Sequence, residues 1–231
     1  MRQRWDDVSF LHWDVEPNVA RALLPPGLDV DVHDGRAWVG LVPFHMRRIA
    51  PAGLPPIPYF GSFPETNVRT YVIGPNREPG VWFHSLEASR LAPVAVARLL
   101  YGLPYFHASM HIRRAGRSIQ YNTLRQRPGP KGVGGSIAIE VGDRMDEPTE
   151  LARFLTSRWR LFTYRRGDIY SAEIRHEPWP LHSASASQVD TSLVAEAGYE
   201  PSGAPHVLYS PRVHVQAYLP RRLNTGDITH R

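Results

Sequence analysis

Apolar positions along this chain fall in short runs broken by turn residues, which predicts a strand-rich fold rather than a helical bundle. The punctuation comes from 22 prolines and 18 glycines. Residues 15–24 place Val15, Val19, Leu23 and Leu24 on one helical face and stop at Pro25, Pro26 and Gly27. Residues 28–32 alternate apolar and acidic, as a half-buried strand does. Asp34-Gly35 then signals a hairpin into a return strand over 37–44. Further strands are predicted over 66–73, 81–86, 107–112, 118–125, 136–141 and 169–176, with one or two more over 207–219 around Pro211. Residues 91–100 read as a helix with Pro93 in its first turn. The clearest helical spacing lies in 148–162, where Leu151, Phe154, Leu155, Trp159 and Phe162 recur on one face. The proline-rich stretch 51–64 carries Tyr59, Phe60 and Phe63; it suits a cavity rim or lid as well as a plain surface crossing. Residues 129–135 form a glycine-rich loop holding Lys131.

One predicted strand carries an unusual set of side chains. Because strand residues alternate between faces, Glu65, Asn67, Arg69 and Tyr71 share one face, while Thr66, Val68, Thr70 and Val72 share the other. The second face suits a core. The first lines up an acid, an amide, a guanidinium and a phenol, and fits either a solvent-facing strand or the lining of a barrel or cleft. In a cleft, Arg69 clamps a carboxylate and Glu65 is a general acid or base, its pKa raised by burial or lowered by Arg69. The next strand places Trp82, His84 and Leu86 on one face, with Phe83, Ser85 and Glu87 on the other. Sequential strands often pair, so Glu87 or His84 is expected near Glu65 as a second titrating group.

Composition narrows the classes without naming one. A chain of 231 residues, 42% hydrophobic and 21% charged, suits one globular domain and is too apolar to be disordered. With no cysteine there is no disulfide framework, thiolate nucleophile or Cys-ligated metal. The net charge is +5, but the arginines are scattered as pairs such as Arg47-Arg48 and Arg113-Arg114, so no basic patch points to nucleic acid. The most apolar stretch, 91–103, contains Pro93 and Arg98 and is too short to span a bilayer. No signal-peptide pattern opens the chain, so a cytoplasmic location is expected. His107 and His111 lie too far apart along a strand to share one ion, and a metal would need distant partners such as His84, His176 or His214. No metal and no cofactor is expected. There is no Gly-x-Ser-x-Gly elbow, Walker loop or dinucleotide fingerprint, and the loop around Lys131 lacks a Walker loop's spacing.

Several blocks together resemble a known family. They include Leu11-His12-Trp13, Leu24-Pro25-Pro26-Gly27-Leu28, and Gly35 through Phe44. To these are added Pro64 through Tyr71, Phe83-His84-Ser85-Leu86-Glu87, Leu103-Pro104-Tyr105, and the tract from Phe154 to Leu181. From about Trp5 to Leu219 the chain resembles the YqjF-like family of unknown function, which is similar to the acetoacetate-decarboxylase-like superfamily. The resemblance implies an α+β, β-rich fold: a closed or cone-like β-barrel around a small-molecule cavity, with a few peripheral helices. It covers residues 1–223 as a single domain and leaves 224–231 as a short polar tail. It also implies self-association into a homo-oligomer. The superfamily's cavity glutamate matches Glu65. In acetoacetate decarboxylase a lysine forms a Schiff base with its keto acid; the matching stretch here, 99–104, has no lysine, and Lys131 lies in another segment. The expectation is therefore a small-molecule-binding barrel acting on a small oxo acid by lyase, hydratase or isomerase chemistry without an imine, or a noncatalytic ligand-binding or structural domain. Glu65 and Glu87 are the candidate proton-transfer residues, and Arg69, Asn67, Tyr71, His84 and Ser85 the candidate ligand contacts.

Overall fold

A computed structural model of the chain describes residues 1–51, 53–58, 61–91, 98 and 101–223. Among these, thirteen strands join in one sheet, in the order β13-β10-β9-β5-β6-β7-β8-β11-β12-β1-β3-β4-β2. The strands are β1 (Arg2–Val15), β2 (Asp29–Val30), β3 (Ala37–Ala50), β4 (Phe63–Ile73), β5 (Pro79–Ala88), β6 (Tyr105–Ala115) and β7 (Ser118–Arg127). They continue as β8 (Ser136–Arg144), β9 (Arg160–Arg165), β10 (Asp168–His176), β11 (His182–Val189), β12 (His206–Ala217) and β13 (Arg221–Arg222). Three short helices are described: α1 (Pro17–Ala22), α2 (Glu150–Thr156) and α3 (Ser192–Glu196).

Two extra ladders, β4 with β5 and β10 with β12, tie distant members of this order together. Following the pairings from β4 through β3, β1, β12, β10, β9 and β5 returns to β4. The shared strands are therefore covered on both faces. On β3, Val39 and Leu41 pack with Leu11, Val68, Ile119 and Tyr209. The alternate residues Val42, Phe44 and Met46 pack on the other side with Val8, Phe10, Phe63 and Trp179. This two-sided burial explains the nearly unbroken apolar run of β3.

The predicted strands are found, most of them longer than predicted. Several elements differ from the sequence pattern. β1, at 14 residues, is absent from the prediction. Asp7 sits at φ 50° in β1, and the pairing with β3 shifts register between Asp6 and Leu11. That break puts Trp5 and Val8, rather than Trp5 and Asp7, toward the same interior, and hides the period of two. The helix predicted over 148–162 is α2 alone; it is capped by Thr149, whose hydroxyl accepts from the Ala152 amide at 3.1 Å, and it ends at Thr156. Trp159 and Phe162 lie beyond it, Phe162 in β9, where Phe162 packs against Leu28, Val72 and Ile169. β11 is also absent from the prediction: Ala184 and Ala186 pack against the core, but such small side chains alternating with serine give little apolar contrast. α3 is too short for a helical period. The helix predicted over 91–100, Tyr59 and Phe60 of the predicted rim, and the tail 224–231 lie outside the described residues, apart from Leu91 and Arg98.

Candidate functional site

The inner face of the seven-strand circuit encloses a cavity of about 110 Å³. Its wall is mostly apolar, with Val8, Phe10, Val42, Phe44, Phe83 and Leu86 among the lining residues. β4 contributes three of its polar groups, and Gln3, Tyr105, Thr156, Arg158, Arg160 and His176 are among the others. Glu65, Asn67 and Arg69 all line the cavity and are 3%, 4% and 7% exposed, so the polar face of β4 points inward rather than to solvent.

Arg69 is held by dipoles rather than by an acid. Its Nη2 donates to the Leu155 carbonyl at 3.2 Å and to the Tyr71 hydroxyl at 3.3 Å. Leu155 lies in the last turn of α2, where carbonyls carry the negative end of the helix dipole. The guanidinium also lies over the Phe10 ring, 5.5 Å from its centroid. No carboxylate pairs with Arg69 among the described residues, and its buried Nε has no hydrogen-bond partner. The two other arginines of the lining differ in this respect: Arg158 pairs with Asp31, and Arg160 with Glu78.

Tyr71 stands behind Arg69. Its hydroxyl donates to the Leu155 carbonyl at 2.7 Å and lies 2.6 Å from His12 Nε2. The single phenolic proton is used on Leu155, so His12 donates from Nε2. Burial, and then the charge of Arg69, hold His12 well below the ordinary histidine value, so it is neutral. Gly40 makes room for this pair: a Cβ there would come within 2.8 Å of the His12 ring.

Glu65 accepts a hydrogen bond from the Tyr105 hydroxyl at 3.0 Å. Burial pushes its carboxyl up to about 8, Tyr105 opposes the rise, and the nearby Glu87 adds to it. At neutral pH the group is a carboxylic acid. As pH climbs from about 4.5 to about 8 the unfolded chain loses this proton while the folded chain keeps it, so stability falls across that window. The slope amounts to on the order of 4–5 kcal/mol for one fully buried group. Glu65→Gln is expected to remove it: urea unfolding at pH 5 and at pH 8 should show the variant gaining on the wild type at the higher pH. Equal losses in both proteins would overturn the assignment.

The strand β5 departs from simple alternation. Its pairing with β4 shifts by one residue between Val68 and Arg69, and His84 is the extra residue. Phe83 lies opposite Arg69, and Leu86 opposite Asn67, so both face the cavity. Ser85 and Glu87 lie opposite Val68 and Thr66, on the other face of the sheet. The expected grouping of Trp82, His84 and Leu86 on one face is thereby corrected. Glu87 is fully buried there, 2.6 and 3.1 Å from two nitrogens of Arg125, and accepts from Ser85 at 3.2 Å. Burial raises its pKa, and the guanidinium of Arg125 opposes that rise. His84 bonds the Tyr199 hydroxyl at 2.9 Å and lines a separate pocket beside Trp82 and Phe162; burial lowers its pKa to about 4. The structure thus brings Glu65, Asn67 and Arg69 together, sets Tyr71 behind them, and places Glu87, Ser85 and His84 outside this cavity.

Tyr105 was not singled out as a site residue in the sequence. It sits at the start of β6, beyond a turn at Gly102 whose φ is +64°. A side chain at Gly102 would be strained and would also strike the Arg165 guanidinium. The block Leu103-Pro104-Tyr105 was visible, but nothing local shows where its phenol points. No group of three or more His, Asp or Glu side chains suited to a metal occurs among the described residues. No described helix is long and apolar enough to cross a membrane.

The fold is similar to that of acetoacetate-decarboxylase-like proteins among the solved structures. An acetoacetate decarboxylase from Legionella pneumophila superposes with a TM-score of 0.65 at 13% identity, covering 97% of this chain and 88% of its own. An acetoacetate decarboxylase-like enzyme from Sphingomonas wittichii RW1 gives 0.65 at 15% identity, covering 96% and 92%. The enduracididine biosynthesis enzyme MppR gives 0.67 at 15% identity, covering 98% and 88%. In sequence, residues 2–214 match the family DUF2071, described as an uncharacterized conserved protein, and the chain belongs to that family. It is 36% identical over 197 residues to the uncharacterized protein YqjF of Bacillus subtilis (strain 168), covering 85% of this chain and 81% of that one.

Proposed function

We propose that the protein binds a small carboxylate, an oxo acid or a related polar metabolite, in the β4 cavity and acts on it by acid–base chemistry of the lyase, hydratase or isomerase kind. In this reading the seven-strand circuit is the wall of a closed, cone-like barrel. The carrying observation is Arg69, a buried cation in an apolar cavity without an acidic partner among the described residues. An uncompensated buried charge is costly, and an anion in reach of the guanidinium offsets that cost. Asn67, whose buried Oδ1 has no partner, orients the ligand. Glu65, neutral at pH 7, gives its proton to the ligand's oxygen or carbon and remains in the wall as a carboxylate.

An imine mechanism is not part of the proposal. The sole lysine, Lys131, is exposed and is not among the lining residues. The structural similarity lends support at the level of ligand class: one of the MppR structures of this fold is complexed with pyruvate, a small oxo acid.

A thermal-shift screen tests the binding step, with pyruvate, 2-oxobutyrate and lactate beside neutral analogues. A ligand at 100-fold over its Kd stabilises by about 2.7 kcal/mol. For a protein of this size that is a rise in Tm of roughly 5–10 °C. Carboxylates are expected to give such a shift in the wild type and none in Arg69→Ala. Equal shifts in both proteins, or no shift with any carboxylate, would sink the role of Arg69.

A further inference from the structure

Glu65, buried, and the half-buried Tyr105 phenol are two acids of the cavity wall that share a hydrogen bond. The Tyr105 hydroxyl has a single proton, and that proton is directed at Glu65 Oε2. With Oε2 engaged, the acid proton of Glu65 resides on Oε1. We propose that Tyr105 is a positioning residue for proton transfer: its hydroxyl fixes Glu65 with Oε1–H free toward the ligand, and it holds the charge left on Glu65 when that proton departs. This rests on the reading of Glu65 as the acid of the site.

The physical basis is a difference between two states. Before transfer, the bond runs from a phenol to a neutral carboxylic acid. After transfer, the Oε1–H bond has broken, the proton is bound to the ligand, and the same phenol donates to a carboxylate. A hydrogen bond to an ionised acceptor is roughly twice as strong as a neutral one. The contact therefore stabilises the state that develops during the reaction more than the resting one, which lowers a barrier rather than merely binding.

The surroundings leave this role to Tyr105. From β3, the residue paired with Glu65 is Phe44, and from β5 it is Ala88; neither donates a hydrogen bond through its side chain. On β4 itself Asn67 and Arg69 are the next residues of the same face, and Arg69 is bound to Leu155 and Tyr71. Glu87 acts on Glu65 from the opposite face of the sheet, where it is paired to Arg125, and its charge opposes ionisation of Glu65. Tyr101, also in the cavity wall, acts on Tyr105 and keeps it protonated together with burial and Glu65. Among these groups Tyr105 alone favours the carboxylate form of Glu65 through a direct bond.

The test is a titration of the Glu65 carboxyl by carbon-13 NMR in the full chain labelled at glutamate side-chain carboxyls. Glu65→Gln assigns the resonance. The wild-type midpoint is expected near 8. Tyr105→Phe keeps the ring and deletes the bond, so the midpoint is expected to move up. Placing 3-fluorotyrosine at 105, a stronger acid and stronger donor, is expected to move it down. Opposite displacements by two near-isosteric rings are not an effect of loosened packing. A high midpoint that neither replacement moves would overturn the role of Tyr105 while leaving Glu65 as the acid. A wild-type midpoint near the ordinary carboxylate value would overturn both.

Discussion

Glu65→Gln is expected to slow turnover of the carboxylate selected by the thermal-shift screen by about 10²–10⁴-fold, the usual contribution of a positioned general acid. Its Kd should stay within a few-fold of the wild type, because binding is assigned to Arg69 and Asn67 and because glutamine has nearly the shape of the neutral acid. The expected split is therefore in kcat and not in KM, the mark of an interaction made in the transition state. The resting acid is available because burial raises Glu65 to about 8. Turnover should accordingly fall as pH rises through that value, and the fall should vanish in the residual activity of the glutamine variant. Equal turnover in both proteins would remove Glu65 from the chemistry. Binding without turnover in the wild type would replace the enzyme by a ligand-binding domain that uses the same cavity.

The second large effect is structural. Arg125→Met is expected to destabilise the fold by about 3–5 kcal/mol at pH 8, because it leaves Glu87 buried without its cation. Arg125 is 2% exposed, its Nη2 lies 2.6 Å from Glu87, and its guanidinium lies over the Phe106 ring at 3.9 Å. Glu196, at 3.6 Å, is the second acid on it. Without the cation, the pKa of Glu87 rises further above its unfolded value. The folded variant then retains a proton that the unfolded chain has released, so its deficit should grow as pH rises and shrink toward pH 5. Adding Glu87→Leu should restore much of the loss, since removing both partners of a buried pair costs little compared with removing one. Urea unfolding of the two single variants and the double variant forms the cycle that checks this. An Arg125→Met deficit independent of pH would mean that packing against Phe106, not charge, is what is lost.

The cavity was partly legible in the sequence. Period-two alternation alone put Glu65, Asn67, Arg69 and Tyr71 on one face, and the structure keeps them there. The same rule failed on β5, where one extra residue, His84, turns the side chains on one side of it over. A bulge has no composition of its own, so alternation runs straight through it in the sequence of β5. Tyr105 was invisible as a partner for a different reason: 40 positions separate it from Glu65, and the turn at Gly102 decides where it points.

What the sequence determined by itself was local: the many short strands, the hairpin at Asp34-Gly35, the core-like face of Thr66, Val68, Thr70 and Val72, and the absence of thiol and common cofactor motifs. These follow from backbone geometry and side-chain chemistry within a few residues. Tertiary structure decided whether the polar face of β4 met water or a cavity, and that Glu87 belongs with Arg125 rather than with Glu65. Those outcomes depend on ladders between remote segments, such as β1 with β12, whose registered partners Arg2 and Gln216 lie at opposite ends of the described chain. Alternation states that two faces differ. Only the closing of such ladders settles which face is enclosed.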